Sequence, residues 1–310
     1  MKKVLCIGDS CMDILIPYGE AMQGLPADIR MSCGGTAANT ASGLGRLGVP
    51  CAFLGKAGDD YSGRMMRQSL VDDGVDVSHF TLDRQLVSVQ ILSVIGKDRD
   101  RFNFLMPKER PSHLEIYSSD LTDDLLDFDI IHTSGLMLFE EPAASSVCAF
   151  LKKTKQAGKT VSLDINMRIE TGGRDTSRLL EAVSCTDYLF GSAAEELIPL
   201  SGKKTEEEAA EFFMRQGCTV IARKGSRGSD LYSANGISHC SGFRVDVADT
   251  VGAGDCFNSG FLYALSRGLD ASEANRIGCA AAALSLRKKG ARNCPEEKEL
   301  LAFLGENCEN

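Results

Sequence analysis

Seven residues, Asp249-Thr250-Val251-Gly252-Ala253-Gly254-Asp255, have the types and spacing to handle a phosphoryl group. The Gly-Ala-Gly turn opens a segment in which Phe257, Phe261, Leu262 and Leu265 share one helical face, so a helix is predicted to start there. Small residues at a helix start let backbone approach a ligand, and the first N–H groups have no partner inside the helix. With the positive end of the helix dipole, the amides of Gly252, Ala253 and Gly254 make a site for an anion. Asp255 falls in the first turn, beside those amides. A carboxylate there suits one task, taking a proton from a hydroxyl that attacks a phosphoryl group. The alternative is a capped helix, with Asp255 favourable at the N-terminus for electrostatic reasons alone.

A second constellation lies in the first forty residues. Asp13, Gly34, Gly35 and Asn39 could bind hydroxyls, since carboxylate and amide side chains accept and donate at fixed angles. Asp13 follows the strand-like run Val4–Ile7, near the carboxyl-end crevice where open α/β sheets bind ligands. Thr36 is expected to cap a helix and to put Asn39 in its first turn. Ordinary capping and turn chemistry would explain the same residues. Asp164-Ile165-Asn166-Met167-Arg168 closes another strand-like run, and Arg168 could grip an acid or a phosphate bidentately. Ser192-Ala193-Ala194-Glu195 has the spacing of a capping box. Arg223-Lys224-Gly225-Ser226-Arg227-Gly228 reads as a tight turn between strands. Gly43-Leu44-Gly45-Arg46-Leu47-Gly48 matches a dinucleotide pattern but ends a helical stretch instead of opening one, so Gly48 is a helix C-terminal glycine and the others are packing positions. None of His79, His113, His132 and His239 has a partner at catalytic or metal spacing; all four are read as structural or solvated.

The two constellations together resemble the ribokinase-like, or PfkB, carbohydrate kinases. Asp-Thr-x-Gly-Ala-Gly-Asp-x-Phe over Asp249–Phe257 is similar to the carboxy-terminal signature, and Cys33-Gly34-Gly35-Thr36-Ala37-Ala38-Asn39 with Arg46-Leu47-Gly48 to the amino-terminal one. The strand Val4–Ile7 and the Gly290–Pro295 tail extend the likeness over the chain. The resemblance implies ATP-dependent phosphorylation of a sugar hydroxyl, with Asp255 as base and Gly252, Ala253 and Gly254 as the anion hole. It places the sugar on Asp13, Gly34, Gly35, Asn39, Asn166 and Arg168, and the nucleotide along Ser192, Lys224, Gly225, Gly228 and Thr250. Glu195 corresponds to a glutamate that positions Mg2+ through water, and Asp249 to a region that holds K+ in some members. Ser192 stands where the family usually has Asn, and Arg223 where it often has Thr or Lys. Asp-x-Asn-x-Arg at Asp164–Arg168 is similar to the fructokinase and 2-keto-3-deoxygluconate kinase branches, which favours a ketohexose or a 2-keto-3-deoxy sugar acid. Ribokinase- or nucleoside-kinase-type specificity is the alternative, as is a sugar or nucleotide sensor without turnover.

The 310 residues, 43% of them hydrophobic, suffice for one large core. A net charge of −9 and a pI near 5.1, with no Lys/Arg stripe, argue against a nucleic-acid partner. Twelve cysteines without a C-x-x-C pair argue for free thiols in a reducing cytoplasm. Asp9 and Asp13 interrupt the first apolar stretch too early for a signal peptide, and no segment is long enough to span a membrane.

These residues need a scaffold, and the periodicity supplies one. Apolar runs at Val4–Ile7, Cys51–Leu54, Phe128–Ile131, Val161–Leu163, Tyr188–Phe190 and Val220–Ala222 alternate with helical stretches. Those stretches are Ala37–Leu47, Ser62–Val71, Ala143–Thr154, Thr176–Val183 and Glu206–Gln216. The pattern predicts a doubly wound α/β domain over 1–310, its mostly parallel sheet covered by helices on both faces. The last third is helical at Ala253–Ser266, Ala271–Leu286 and Glu296–Leu304. Two insertions, about 12–33 and 86–106, are β-like instead. In the second, Leu86–Ile95, with Val87, Val89, Ile91 and Ile95 on one face, is expected to turn at Gly96-Lys97-Asp98 into Phe102–Leu105. By resemblance the insertions form a small β-sheet lid that closes over the sugar and excludes water. Its exposed edges invite a homodimer through the lid.

Overall fold

The computed structural model describes residues 1–17, 29–95, 101–107, 109–167 and 175–307. In chain order the strands are β1 (Val4–Ile7), β2 (Cys11–Pro17), β3 (Arg30–Gly34), β4 (Cys51–Gly58), β5 (Phe80–Asp83), β6 (Gln90–Ile95) and β7 (Arg101–Met106). They continue as β8 (Ile130–Ser134), β9 (Thr160–Asp164), β10 (Tyr188–Ser192), β11 (Thr219–Arg223), β12 (Ser229–Ser233) and β13 (Gly236–Cys240).

Nine of these strands form one sheet in the order β13-β12-β11-β10-β9-β8-β1-β4-β5. Every neighbouring pair from β11 to β5 is parallel, and β12 and β13 add an antiparallel edge. The expected doubly wound layout is present, because successive residues of a strand enter opposite cores. Val4 and Cys6 join helices Thr36–Arg46, Ala253–Ser266 and Ala271–Ser285 on one face. Leu5 and Ile7 join Ala143–Gln156, Ser177–Val183 and Glu206–Met214 on the other. Burying each such side chain contributes about 1.5–3 kcal/mol, so strands with no polar face are stable only in this sandwich.

Most elements fall within two residues of expectation, and the departures have causes. The apolar run at Phe128 starts as an irregular connection; β8 begins at Ile130 and runs to Ser134. Leu86–Val89 is not strand. Ser88 is tied by its N–H to Asp60 Oδ2 at 2.9 Å and by its Oγ to the Gly58 N–H at 3.1 Å. Val87 is 58% exposed while Val89 is buried, so the two do not share a face. β12 contains Ser229, Asp230 and Ser233, and β13, the edge strand, is mostly exposed, so neither shows the continuous apolar run of the central strands.

The two insertions come together as a second sheet, β3-β2-β6-β7. β2 is central, antiparallel to β3 and parallel to β6, and β6 and β7 pair antiparallel from Ile95 opposite Arg101 to Gln90 opposite Met106. The predicted turn Gly96-Lys97-Asp98 lies outside the described residues, as does 18–28 between β2 and β3.

Helix Ala253–Ser266 is buried on every side from Cys256 to Ser266, between Thr36–Arg46 and Ala271–Ser285. A Cβ on Gly43 would lie 2.7 Å from Ser259 Cβ, so the inner glycine is a packing position. The glycine just beyond that helix, Gly48, has φ 73° and its N–H bonds Gly45 O at 2.9 Å, which ends the helix as expected. Among the described residues no helix is long and apolar enough to cross a membrane.

Candidate active site

Because β1, β9, β10 and β11 run parallel, their last residues meet at one edge of the sheet. Asp9 follows β1, while Asp164, Ser192 and Arg223 end β9, β10 and β11. Phe190 pairs with Asp164 and Ser192 with Arg223 in register. This is the crevice where such sheets hold ligands.

Helix Thr36–Arg46 starts here, and its cap differs from expectation. Thr36 is the first helical residue, not the cap; Gly35, at φ 99°, precedes it. Only glycine fits that conformation with a carbonyl so near: a Cβ would lie 2.5 Å from Asp9 O. The capping carboxylate comes from Asp9, whose oxygens accept the N–H groups of Thr36 at 2.8 Å and Ala37 at 3.2 Å. Thr36 is released to accept from Asn166 Nδ2. Asn166 reaches it from a strained position after β9, with φ 38°. Asp13, on β2 of the four-stranded sheet, packs its carboxyl against the Cα of Gly34, where a Cβ would lie 2.2 Å from Oδ2. Gly34, Gly35, Asn39, Asn166 and Asp13 therefore line one region. Arg168 lies outside the described residues.

Helix Ala253–Ser266 points its N-terminus at the same region. Gly252 precedes it at φ 78°, and a Cβ there would strike Ala291 O at 2.2 Å, so the turn requires glycine. Asp249 shapes the loop by accepting the N–H groups of Thr250 at 2.8 Å, Val251 at 3.2 Å and Gly290 at 3.1 Å. The Ala253 N–H leans back to Thr250 O at 3.4 Å, leaving Gly254 and Asp255 as the donors at the tip of the first turn.

Asp255 accepts a hydrogen bond from Asn39 Nδ2 at 2.8 Å, across 216 positions of sequence. Burial raises its pKa well above the carboxylate range; the Asn39 bond and Arg223 oppose that, while Asp164 and Asp9 add to it. A carboxyl poised to hold a proton suits a general base. Asn39 in turn accepts from Arg292 Nε at 3.1 Å.

A second cluster sits beneath the turn. Arg223 donates to Asp164 with both Nη atoms, to Asn258 Oδ1 and Gly254 O at 3.3 Å, and to Glu196 at 3.4 Å. Burial, then the charge of Asp164, lifts the Glu196 pKa to about 7, against the pull of Arg223 and the Ser192 and Met167 N–H groups.

Glu195 is exposed, and Glu196 takes the inner position. The turn Ala193–Leu197 is π-helical, which inserts one residue and rotates the next carboxylate inward. No capping box forms; instead Glu196 accepts the Ser192 N–H at 2.6 Å. Magnesium tends to keep its waters and take one or two carboxylates besides phosphate oxygens. A single buried carboxylate such as Glu196 fits that habit, and no cluster of three ligating side chains exists among the described residues.

Lys224 does not project into the crevice as a free cation. Its Nζ pairs with Glu206 at 2.8 Å and with Asp230. Gly225 and Gly228 form the expected tight turn, joining β11 to antiparallel β12. His132 is buried with Nδ1 on Ser162 Oγ at 2.9 Å, and burial lowers its pKa to about 4, as a structural histidine should behave.

Sequence reading missed Asp9, Arg223, Glu196, Asn258 and Arg292. Asp9 and Arg223 carried a usable signal, since each is a charged residue at the carboxyl end of an apolar strand. Glu196 carried none, because the π-helical insertion is invisible in spacing.

Comparison with known proteins agrees with this geometry. The family model described as "pfkB family carbohydrate kinase" matches residues 1–298. The aminoimidazole riboside kinase of Salmonella typhimurium is 32% identical over 86% of this chain and 82% of its own. The 5-dehydro-2-deoxygluconokinase 2 of Bacillus cereus is 25% identical over 97% of this chain and 94% of its own. A structure of a Vibrio cholerae fructokinase double mutant with fructose, ADP and potassium superposes with a TM-score of 0.85 at 28% identity, covering 98% of each chain.

Proposed function

The chain belongs to the pfkB family of carbohydrate kinases, which are ATP-dependent, and from that premise we propose its acceptor and its catalytic residues. The acceptor is a primary hydroxyl of a ketohexose or a 2-keto-3-deoxy sugar acid, and the donor is the γ-phosphoryl group of ATP. One observation carries the reading: the 2.8 Å bond from Asn39 to Asp255 joins the two signatures of the sequence in one site.

Asp255 takes the proton from the attacking hydroxyl. The amides of Gly252, Gly254 and Asp255, at the positive end of the buried helix, stabilise charge on the group in transit, and Ala253 would join them only by releasing Thr250 O. Asp13, Gly34, Gly35, Asn39 and Asn166 orient the sugar, and the four-stranded sheet closes over it to exclude water. Arg168 remains the candidate for a sugar carboxylate. Ser192, Gly225, Gly228 and Thr250 lie along the nucleotide, and Lys224 would join them only by leaving its two carboxylates. Magnesium, when bound with ATP, neutralises phosphate charge. Glu196 is the residue we assign to its water shell in place of Glu195, and Asp249 the carboxylate beside a potassium ion.

The free state of the eleven cysteines described fits a cytoplasmic enzyme. β3 and β7 form the edges of the small sheet and offer a route to a homodimer through the lid.

The test is a coupled ADP-release screen over ketohexoses, pentoses, 2-keto-3-deoxy acids and nucleosides. The highest kcat/KM is expected for a ketohexose or a keto-deoxy acid. Ribose or adenosine as best acceptor would overturn the substrate choice. A riboside acceptor is the second reading, favoured by the 32% identity to an aminoimidazole riboside kinase.

A further inference from the structure

Arg292, in the segment after helix Ala271–Ser285, carries a guanidinium that touches neither the β-edge cluster nor Asp255. It donates from Nε to Asn39 Oδ1 at 3.1 Å, from Nη1 to Ser69 Oγ at 2.9 Å and from Nη2 to Gly34 O at 3.1 Å. Ser69, on helix Tyr61–Asp72, and the Gly34 carbonyl hold the planar fork, so the direction of Nε is fixed by two anchors in addition to Asn39.

An asparagine amide presents oxygen on one side and NH2 on the other, and its neighbours decide which faces which. A guanidinium only donates, so the oxygen of Asn39 must face Arg292. The NH2 must then face Asp255, where it lies 2.8 Å from Oδ2. The flipped amide would set donor against donor and oxygen against carboxylate.

We infer that Arg292 is a positioning residue, which by donating to the Asn39 carbonyl oxygen fixes that amide and so holds an N–H donor on the Asp255 carboxylate. The inference rests on Asp255 being the general base. Around Asp255 stand Asn39 from helix Thr36–Arg46, Asp9 from the β1–β2 connection, Asp164 from the end of β9 and Arg223 from the end of β11. Burial and the two aspartates favour the protonated acid, and Arg223 and the Asn39 amide favour the ionised base. The relay thus ties the carboxy-terminal segment and the amino-terminal glycine turn to the protonation state of the base.

The experiment compares Arg292→Lys, Arg292→Met, Asn39→Ala and the Arg292→Met/Asn39→Ala double variant with the unaltered full chain. The readout is the pH profile of kcat/KM, with D-fructose or the best acceptor of the panel. A hydrogen bond to the ionised form lowers a carboxyl pKa, so its loss should move the acid limb to higher pH by about one unit. At a fixed pH on that limb activity then falls about tenfold, while the KM for ATP stays within about twofold because the residues proposed for the nucleotide lie outside the relay. Arg292→Lys keeps the charge but not the fork, and should shift the limb nearly as far as Arg292→Met. In the Asn39→Ala background Arg292→Met should shift it no further. A lysine variant with an unmoved limb overturns the inference, and it remains decisive should Arg292→Met not fold. An equal shift from Arg292→Met with and without Asn39 also overturns it, since that would be a charge effect. Asp255→Asn in the same series separates the premise: normal turnover there removes the base, whatever Arg292 does.

Discussion

Arg223 grips Asp164 with both arms of its guanidinium, Nη2 at 2.7 Å from Oδ1 and Nη1 at 3.1 Å from Oδ2. The pair joins the ends of β9 and β11, which are separated by β10 in the sheet. Through Gly254 O and Asn258 Oδ1 the same guanidinium reaches the first turns of the buried helix Ala253–Ser266. The turn proposed as the anion hole is thereby fastened to the carboxyl end of the sheet, and Arg223, outside that turn, sets its position.

Removing one partner of a buried pair leaves the other charge uncompensated. Arg223→Met should therefore destabilise the fold by about 3–5 kcal/mol, read from urea unfolding. Arg223→Lys keeps a charge but not the fork, so it should recover part of the stability and less of kcat. Full activity in the lysine variant would show that the Gly254 and Asn258 contacts are dispensable.

Asp255→Asn should keep the fold while turnover drops by roughly 10²–10⁴. The stability sign follows from the raised pKa. The protonated carboxyl is favoured in the fold, so the contribution is complete below the ordinary carboxylate pKa and is lost as pH rises through the folded value. At pH 7 the asparagine variant should accordingly melt at or above the unaltered protein, and the two should converge in acid. Near-normal turnover at an unchanged melting temperature would remove Asp255 from the chemistry.

Glu196 gives a second pH signature. Its folded pKa of about 7 lies above the ordinary value of about 4.3. Its stabilisation is present below about pH 4.3 and is lost as pH rises through about 7. Melting temperatures of Glu196→Gln, minus those of the unaltered protein, should therefore grow between pH 5 and pH 8. Glu196→Gln should also raise the Mg2+ concentration needed for half-maximal rate, whereas Glu195→Gln should not. A flat difference in melting temperature, or a magnesium effect at Glu195 instead, would count against the inward assignment.

What the sequence made legible follows from which forces are local. Continuous apolar runs and period-3.6 patterns located the central strands and the helices, because burial on both faces leaves no polar residue in Val4–Ile7 or Leu189–Phe190. Gly252 and Asp255 were readable because a glycine turn and a first-turn carboxylate are decided within a few residues. Asp9 capping a helix 27 positions away, Arg223 on Asp164 and Arg292 on Asn39 are long-range pairings that no window contains. The exchange of Glu195 for Glu196 turns on one inserted residue in a π-helical turn, and the alternation of Val87 with Val89 failed because Asp60 holds Ser88 in a connection.

Cys256 directly follows Asp255, the proposed base. Cys256 could have faced the anion hole, where the helix dipole favours the thiolate. It is instead 1% exposed, packed in the core with Cys294, equally buried, against it. The hydrogen bond that the Cys294 thiol donates to Cys256, together with burial, holds the Cys294 pKa well up, so Cys294 is a poor source of thiolate. Cys33, next to Gly34 at the end of β3, is only partly buried. Limited alkylation followed by peptide mapping should therefore label Cys33 well before Cys256. ATP with magnesium should leave the Cys256 rate unchanged, because a side chain in the packing face is shielded with or without nucleotide. Rapid labelling of Cys256 that ATP slows would place this thiol in the site and contradict the packing seen here.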